Sequence, residues 1–175
     1  MLSLGALSAI TGILYALMEQ NIKRFLAYSS VENIGIILIG IGSAVLFKSF
    51  GSYYFVGLAL AAAFYHILSH MVFKSLLFMG AGAIHNATGL KDMDKMGGLA
   101  RTMPFTAVFF LIGSLTISAL PPFAGFVSEW LIFQGLFYNI YLPGFGVKII
   151  ITIVVALLAL TGALALSSFV KAFGI

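Results

Sequence analysis

Long apolar segments that carry isolated ionisable side chains constrain this chain most. From Tyr53 to Ile84 the single full charge is Lys74, accompanied by His66 and His70. A helix needs about 20 apolar residues to cross a hydrocarbon core about 30 Å thick. Four more segments meet that requirement: Met1–Met18, Phe25–Phe47, Pro104–Tyr141 and Val147–Val170. The pattern predicts an all-α, polytopic membrane protein. It has about five transmembrane helices, in one transmembrane domain over residues 1–175. The fourth span is interrupted by Pro121-Pro122-Phe123-Ala124-Gly125 and is predicted to be discontinuous at Pro121-Pro122. That stretch has no charge and little polarity, so it makes a poor water-exposed loop.

Composition closes off the alternatives. Apolar residues are 62% of the chain and charged residues 8%, against about 25% charged in a soluble domain. Mean hydropathy is +1.15. A soluble enzyme, a disordered tail and a nucleic-acid-binding domain are excluded, despite the formal net charge of +4. With no cysteine there is no disulfide scaffold, thiolate metal site or iron–sulfur ligand set. No Gly-rich nucleotide fingerprint is present, and no bound cofactor is expected. The first segment lacks the basic residue that precedes a secretory signal core.

The positive charges predict orientation. With five crossings, Lys23, Arg24, Lys91, Lys95, Arg101 and Lys171 share one side, and Lys48 and Lys148 the other. The richer side is cytoplasmic by the positive-inside rule, so the N-terminus lies outside and the 85–103 loop inside. A hairpin of two spans at Pro104–Tyr141 gives the same excess, because Lys148 and Lys171 then exchange sides. Lys91-Asp92-Met93-Asp94-Lys95 is charge-balanced and reads as a solvated loop with local ion pairs.

Glu32, His66, His70, Lys74 and Glu129 fall at membrane depth. A charge at the bilayer centre costs about 3 to 15 kcal/mol, so such groups face protein or water and by default mark an ion or proton path. His66, His70 and Lys74 recur every fourth residue. Successive members are offset by about 40° and about 6 Å along a helix, which makes one polar stripe. Three readings are open: a proton relay, structural polar packing, or a zinc site that lacks a third ligand. Glu129, four residues after Gly125, is expected in the first turn of the second half-helix. There the helix N-terminus favours its anion while desolvation favours the acid. Glu32 is either inside the bundle or interfacial, and Lys23, at a span end, reads as a snorkelling anchor. Gly35, Gly40, Gly42, Gly80 and Gly82 suit close helix packing.

Asn21-Ile22-Lys23-Arg24-Phe25-Leu26-Ala27-Tyr28-Ser29-Ser30 resembles the D-[IVF]-K-R-x-[LI]-A-Y-[ST]-S signature of the antiporter-like subunits of respiratory complex I, Mrp cation/proton antiporters and membrane-bound hydrogenases. The run from His66 to Phe78 resembles that family's H-x3-[NTS]-H-x3-K-x-LLF helix. Gly97-Gly98-Leu99, Ala119-Leu120-Pro121-Pro122 and Gly125-Phe126-Val127-Ser128-Glu129-Trp130 are similar to its remaining elements, in the same order. The stretches around Ser30–Gly35 and Thr88–Lys95 look most like the large antiporter-like subunit of hydrogenase-4 and formate hydrogenlyase. Asn21 replaces the usual Asp at a capping position.

The resemblance implies the second of two inverted five-helix repeats. It places Lys23 and Lys74 on a central hydrophilic axis, His66 and His70 as connecting histidines, and Glu129 as the terminal exchange group, with Glu32 a branch-specific acid. It implies proton translocation in a redox-driven complex of a prokaryotic plasma membrane, with the redox chemistry in other membrane and peripheral subunits. This chain would carry no active site of its own. An Mrp-type Na+/H+ antiporter subunit and a non-conducting scaffold are the alternatives. The first repeat's paired Glu and Lys have no counterpart here, so the chain is expected to be a fragment or truncated reading frame, with Met1 an internal methionine.

Overall fold

A computed structural model describes residues 1–138 and 142–174. Among them the chain is helical, with no strand beyond one isolated bridge. The helices are α1 (Leu2–Met18), α2 (Ile22–Ser49), α3 (Tyr53–Thr88), α4 (Leu99–Thr102), α5 (Pro104–Ile117), α6 (Ala124–Phe137) and α7 (Phe145–Phe173), with a 3-10 turn at Met93–Lys95. Three of them, α2, α3 and α7, are long and apolar enough to cross a membrane; α1, α5 and α6 are shorter apolar helices.

The helix ends follow local chemistry. The expected span from Phe25 begins three residues earlier as α2. Asn21 caps it by accepting from the Lys23 and Arg24 backbone N–H groups at 3.1 and 3.4 Å. Pro104 opens α5, where its missing N–H costs nothing. Gly89 ends α3 in the left-handed conformation, φ 70°. The fourth span is two half-helices, α5 and α6, joined by turns over residues 118–123, with a cis Pro121–Pro122 peptide. Its expected end at Tyr141 lies outside the described residues.

Two apolar layers organise the bundle. One gathers Ala9 of α1, Ile39 and Phe47 of α2, Ala62 of α3, Leu136 of α6 and Val154 of α7. The other gathers Ile13, Leu26, Leu77 of α3, Phe110 of α5 and Phe169 near the end of α7. So α5 packs in one layer and α6 in the other, and α7 runs from the second half-helix's layer back to that of the first. This arrangement makes α5–α6 one discontinuous crossing and excludes the two-span hairpin. It also sorts the loops. Ile22 N–H donates to the Lys91 carbonyl (3.0 Å) and Met93 N–H to the Gln20 carbonyl (2.8 Å), around the Asn21–Asp92 bridge. The α1–α2 corner and the segment after α3 therefore share one end of the bundle. The Lys95–Asp92 ion pair (3.5 Å) is present, but the 91–95 segment is pinned to that corner and is more than a solvated loop.

Glycines let the helices close on one another. A Cβ on Gly35 would overlap the Ala9 backbone, and one on Gly12 the backbone at Glu32. Gly40, Gly42 and Gly80 are similarly packed, against Ala63, Leu2 and Phe110. Gly82 is not: nothing lies within 4 Å of the space a Cβ would fill. It sits on a face of α3 that no described helix covers, and periodicity along one helix does not reveal which faces acquire neighbours.

Candidate functional site

Between the two apolar layers each crossing of the second to fifth spans contributes buried polar side chains. Ser29, Glu32 and Asn33 follow Leu26 and precede Ile36 on α2. His66 and Ser69 follow Ala62 on α3, and Lys74 closes the run beside Phe73. Ser118 lies in the break, Ser128 and Glu129 on α6, and Thr161 on α7 between Leu158 and Ala165. The polar groups thus occupy an intermediate level of the bundle, sealed above and below by hydrocarbon.

Hydrogen bonds tie three helices together at this level. Lys74 Nζ donates to the Leu26 carbonyl (2.9 Å) and to Ser29 Oγ. Asn33 Nδ2 donates to the Ser29 carbonyl at 2.8 Å. The Asn33 Oδ1 stands 3.1 Å from His66 Nε2, and His66 Nδ1 stands 2.8 Å from Ser128 Oγ. His66 therefore bridges α2 and α6, while Lys74 anchors α3 to α2 one layer away. The spacing that puts His66 and Lys74 on one face of α3 also aims both at α2.

The sequence-predicted residues separate into two sets. Glu32, His66, Lys74 and Glu129 are at most 8% exposed and come together in the belt. Glu32 lies within electrostatic range of both Lys74 and Glu129. One Glu32 oxygen, Oε2, is buried without a protein hydrogen-bond partner among the described residues. His70 is half-buried. Its ring is 6.4 Å from that of His66 and nearly parallel to it, at 8°, and packs edge-on against Phe73 at 5.4 Å. Its Nε2 is likewise buried and unpartnered among the described residues. Lys23 stands apart, exposed in the first turn of α2. Among the described residues no group of three or more His, Asp and Glu is placed to hold a metal ion.

Glu129 is one turn further along than expected. Helix α6 begins at Ala124, so Glu129 is in its second turn, where the N-terminal dipole has largely faded. Phe123, extended at φ −70° and ψ 159°, is the N-cap, and the helix starts at the residue after it. Glu129 instead faces a cleft of about 350 Å³ lined by Ser118, Trp130, Leu158 and Gly162. A Cβ on Gly162 would sit 3.8 Å from Glu129 Oε2, so α7 comes close at a glycine. Gly125 is buried where the half-helices touch; a Cβ there would overlap the Thr116 carbonyl. Pro121 and Pro122 lie on the outer surface of the break.

Sequence reasoning passed over Ser128 and Asn33, which hold the central histidine. Both sit next to a flagged glutamate, which was the available signal. Small polar residues in apolar helices can satisfy themselves on the preceding turn, so alone they carry little information.

The fold and belt define a class: a helical membrane protein with ionisable side chains lodged between apolar layers at a broken helix. Residues 1–156 match the NADH:quinone oxidoreductase/Mrp antiporter transmembrane family, and the chain belongs to that family. It is 47% identical over 174 residues to hydrogenase-4 component B of Escherichia coli K12, covering 99% of this chain and 26% of that protein. It is 41% identical over 175 residues to formate hydrogenlyase subunit 3 of the same organism, covering 100% of this chain and 29% of that one. The chain thus spans between a quarter and a third of the length of these curated relatives. Its fold superimposes on a chain of the Mrp complex from Dietzia sp. DQ12-45-1b with a TM-score of 0.81 at 26% identity, over 97% of this chain and 28% of that chain. Against respiratory complex I from Thermus thermophilus the TM-score is 0.73, also at 26% identity, over 99% of this chain and 32% of that one. The protein is membrane-embedded and related to antiporter-like subunits of multi-subunit assemblies.

Proposed function

We propose that this chain supplies part of a proton path through the membrane, within the antiporter-like subunit of a redox-driven complex of the hydrogenase-4 or formate hydrogenlyase type. The observation that carries the reading is the buried belt itself. Two carboxylates, a histidine and a lysine are retained between apolar layers, where each costs several kcal/mol unless protein or water meets it. Scaffolding alone gives no return for that cost. Lys74 and His66 serve as relay groups held by α2, with His70 between them. Glu129 exchanges protons with the cleft beside the helix break, and Glu32 links the two through its charge. Lys23, exposed at the rim, belongs to the path only where further protein covers it.

Non-helical backbone is not tolerated against lipid tails at this level. The exposed Pro121–Pro122 face is therefore taken to be covered by protein or water in the assembled complex, which fits a chain that spans a fraction of its relatives. In this reading residues 1–175 are the second of two inverted repeats. The N-terminus lies outside a prokaryotic plasma membrane, and electron transfer resides in partner subunits.

The test uses the full-length subunit in its complex, reconstituted in vesicles. Lys74→Ala and Glu129→Gln should each lower proton translocation at least about tenfold, as loss of a positioned proton-transfer group does, while the complex still assembles. Undiminished pumping by both variants would transfer support to the scaffold reading. The similarity to the Mrp complex favours a second reading, exchange of Na+ for H+; a sodium dependence of the wild-type proton flux would select it.

A further inference from the structure

His66 is held by partners of unequal kind, and the difference decides where its proton can move. Asn33 donates its amide Nδ2 to the Ser29 carbonyl at 2.8 Å. A carbonyl only accepts, so the amide cannot be turned round without facing two oxygens. Asn33 Oδ1 is thereby fixed at His66 Nε2, 3.1 Å away. An oxygen acceptor there requires Nε2 to carry hydrogen. On the other side of the ring, Nδ1 meets Ser128 Oγ at 2.8 Å. A hydroxyl both donates and accepts. The same oxygen lies 2.8 Å from the Gly125 carbonyl and 3.2 Å from the Ala124 carbonyl, either of which can take its hydrogen.

We infer that Ser128 is a positioning residue that lets His66 gain and lose a proton at Nδ1 by rotation of one O–H bond, while Asn33 keeps Nε2 protonated throughout. In the neutral ring Ser128 donates to the Nδ1 lone pair. When Nδ1 gains a proton, its N–H donates to Oγ and the hydroxyl hydrogen swings to the Gly125 or Ala124 carbonyl. Both states are fully hydrogen-bonded and no heavy atom moves. The proton enters and leaves on the α6 side of the ring, through Ser128 Oγ and one residue from Glu129. The other titratable groups around the ring are Glu32 on α2, His70 and Lys74 on α3, and Glu129 on α6. None of them hydrogen-bonds to it among the described residues.

The role as a proton-exchanging group rests on the conduction reading; the tautomer assignment does not, and the experiment separates them. Nitrogen-15 solid-state spectra of the full-length complex with labelled histidine would be assigned to His66 by the signals lost in His66→Gln. Neutral His66 should be the Nε2–H tautomer in the wild type. In Asn33→Leu the Nδ1–H form should appear, donating to Ser128. Proton flux should fall roughly tenfold or more in Ser128→Ala, where the protonated Nδ1 is left unpaired in a dry site, and recover in Ser128→Thr, which keeps the hydroxyl. A wild-type ring in the Nδ1–H form overturns the proposal. So does a Ser128→Ala complex that conducts normally while Glu129→Gln does not. If Lys74→Ala and Glu129→Gln both pump normally, the conduction reading fails, and the spectra still decide the tautomer.

Discussion

Glu32 is retained at a position where a carboxylate oxygen finds no protein partner among the described residues and only 2% of the residue is exposed. An unmet buried polar atom costs about 1–3 kcal/mol, and more when charged. Function and stability should therefore pull apart here. Glu32→Gln keeps the shape and removes the ionisable group. It should leave the fold as stable as the wild type or up to about 2 kcal/mol more stable, read as the unfolding midpoint of the purified complex, while lowering proton flux. A Glu32→Gln protein that is less stable by a similar margin would mark the carboxylate as structural. Lys74 is a different case. Its ammonium group already donates to the Leu26 carbonyl and Ser29 Oγ, so its burial is partly compensated and its removal frees two acceptors.

At the scale of elements, the broken fourth span depends on small residues as much as on prolines. Gly125 lies against the Thr116 backbone, where the atom that a side chain would strike is a carbonyl and cannot rotate away. Gly125→Ala should push α6 off α5 and cost about 1–3 kcal/mol or more, as overpacking does. It should also reduce conduction, because Ser128 and Glu129 move with α6. The control is Gly82→Ala, which meets nothing within 4 Å. It should be neutral or slightly stabilising, since alanine is the better helix former by about 1 kcal/mol. Thermal unfolding of the two variants side by side checks both. Equal stabilisation of both variants would show that helix propensity, rather than the close approach at the break, sets the outcome.

For the whole molecule, the single crossing of α5–α6 and the pairing of Gln20–Ile22 with Lys91–Met93 give definite sides. Lys23, Arg24, Lys91 and Lys95 lie at one end of the bundle, with the end of α7 packed in the same layer. The α2–α3 turn lies at the other, in the same layer as the start of α7, and there Phe55 stacks on Tyr138 at the end of α6. A cysteine placed at Lys91 should react with a membrane-impermeant maleimide from the cytoplasmic face, and one placed at Lys48 from the opposite face. This chain has no native cysteine to confuse the labelling; any elsewhere in the full-length protein would first be replaced. Both sites labelling from one face would refute the five-crossing topology.

Residue order was enough to place the chain in a membrane as an all-α, polytopic protein and to single out Glu32, His66, Lys74 and Glu129. The reason is energetic: apolar runs of that length have one good environment, and ionised groups inside them stand out at several kcal/mol each. It could not separate one broken crossing from two spans, since both leave the same charge asymmetry. Nor could it pick out Asn33 and Ser128, because a small polar side chain costs little where its own helix can satisfy it. Those points were settled when α5 and α6 packed into different apolar layers, and when His66 of α3 came to lie between α2 and α6. Hydrogen-bond partners across 33 and 62 residues of chain are set by helix packing, which no local pattern encodes.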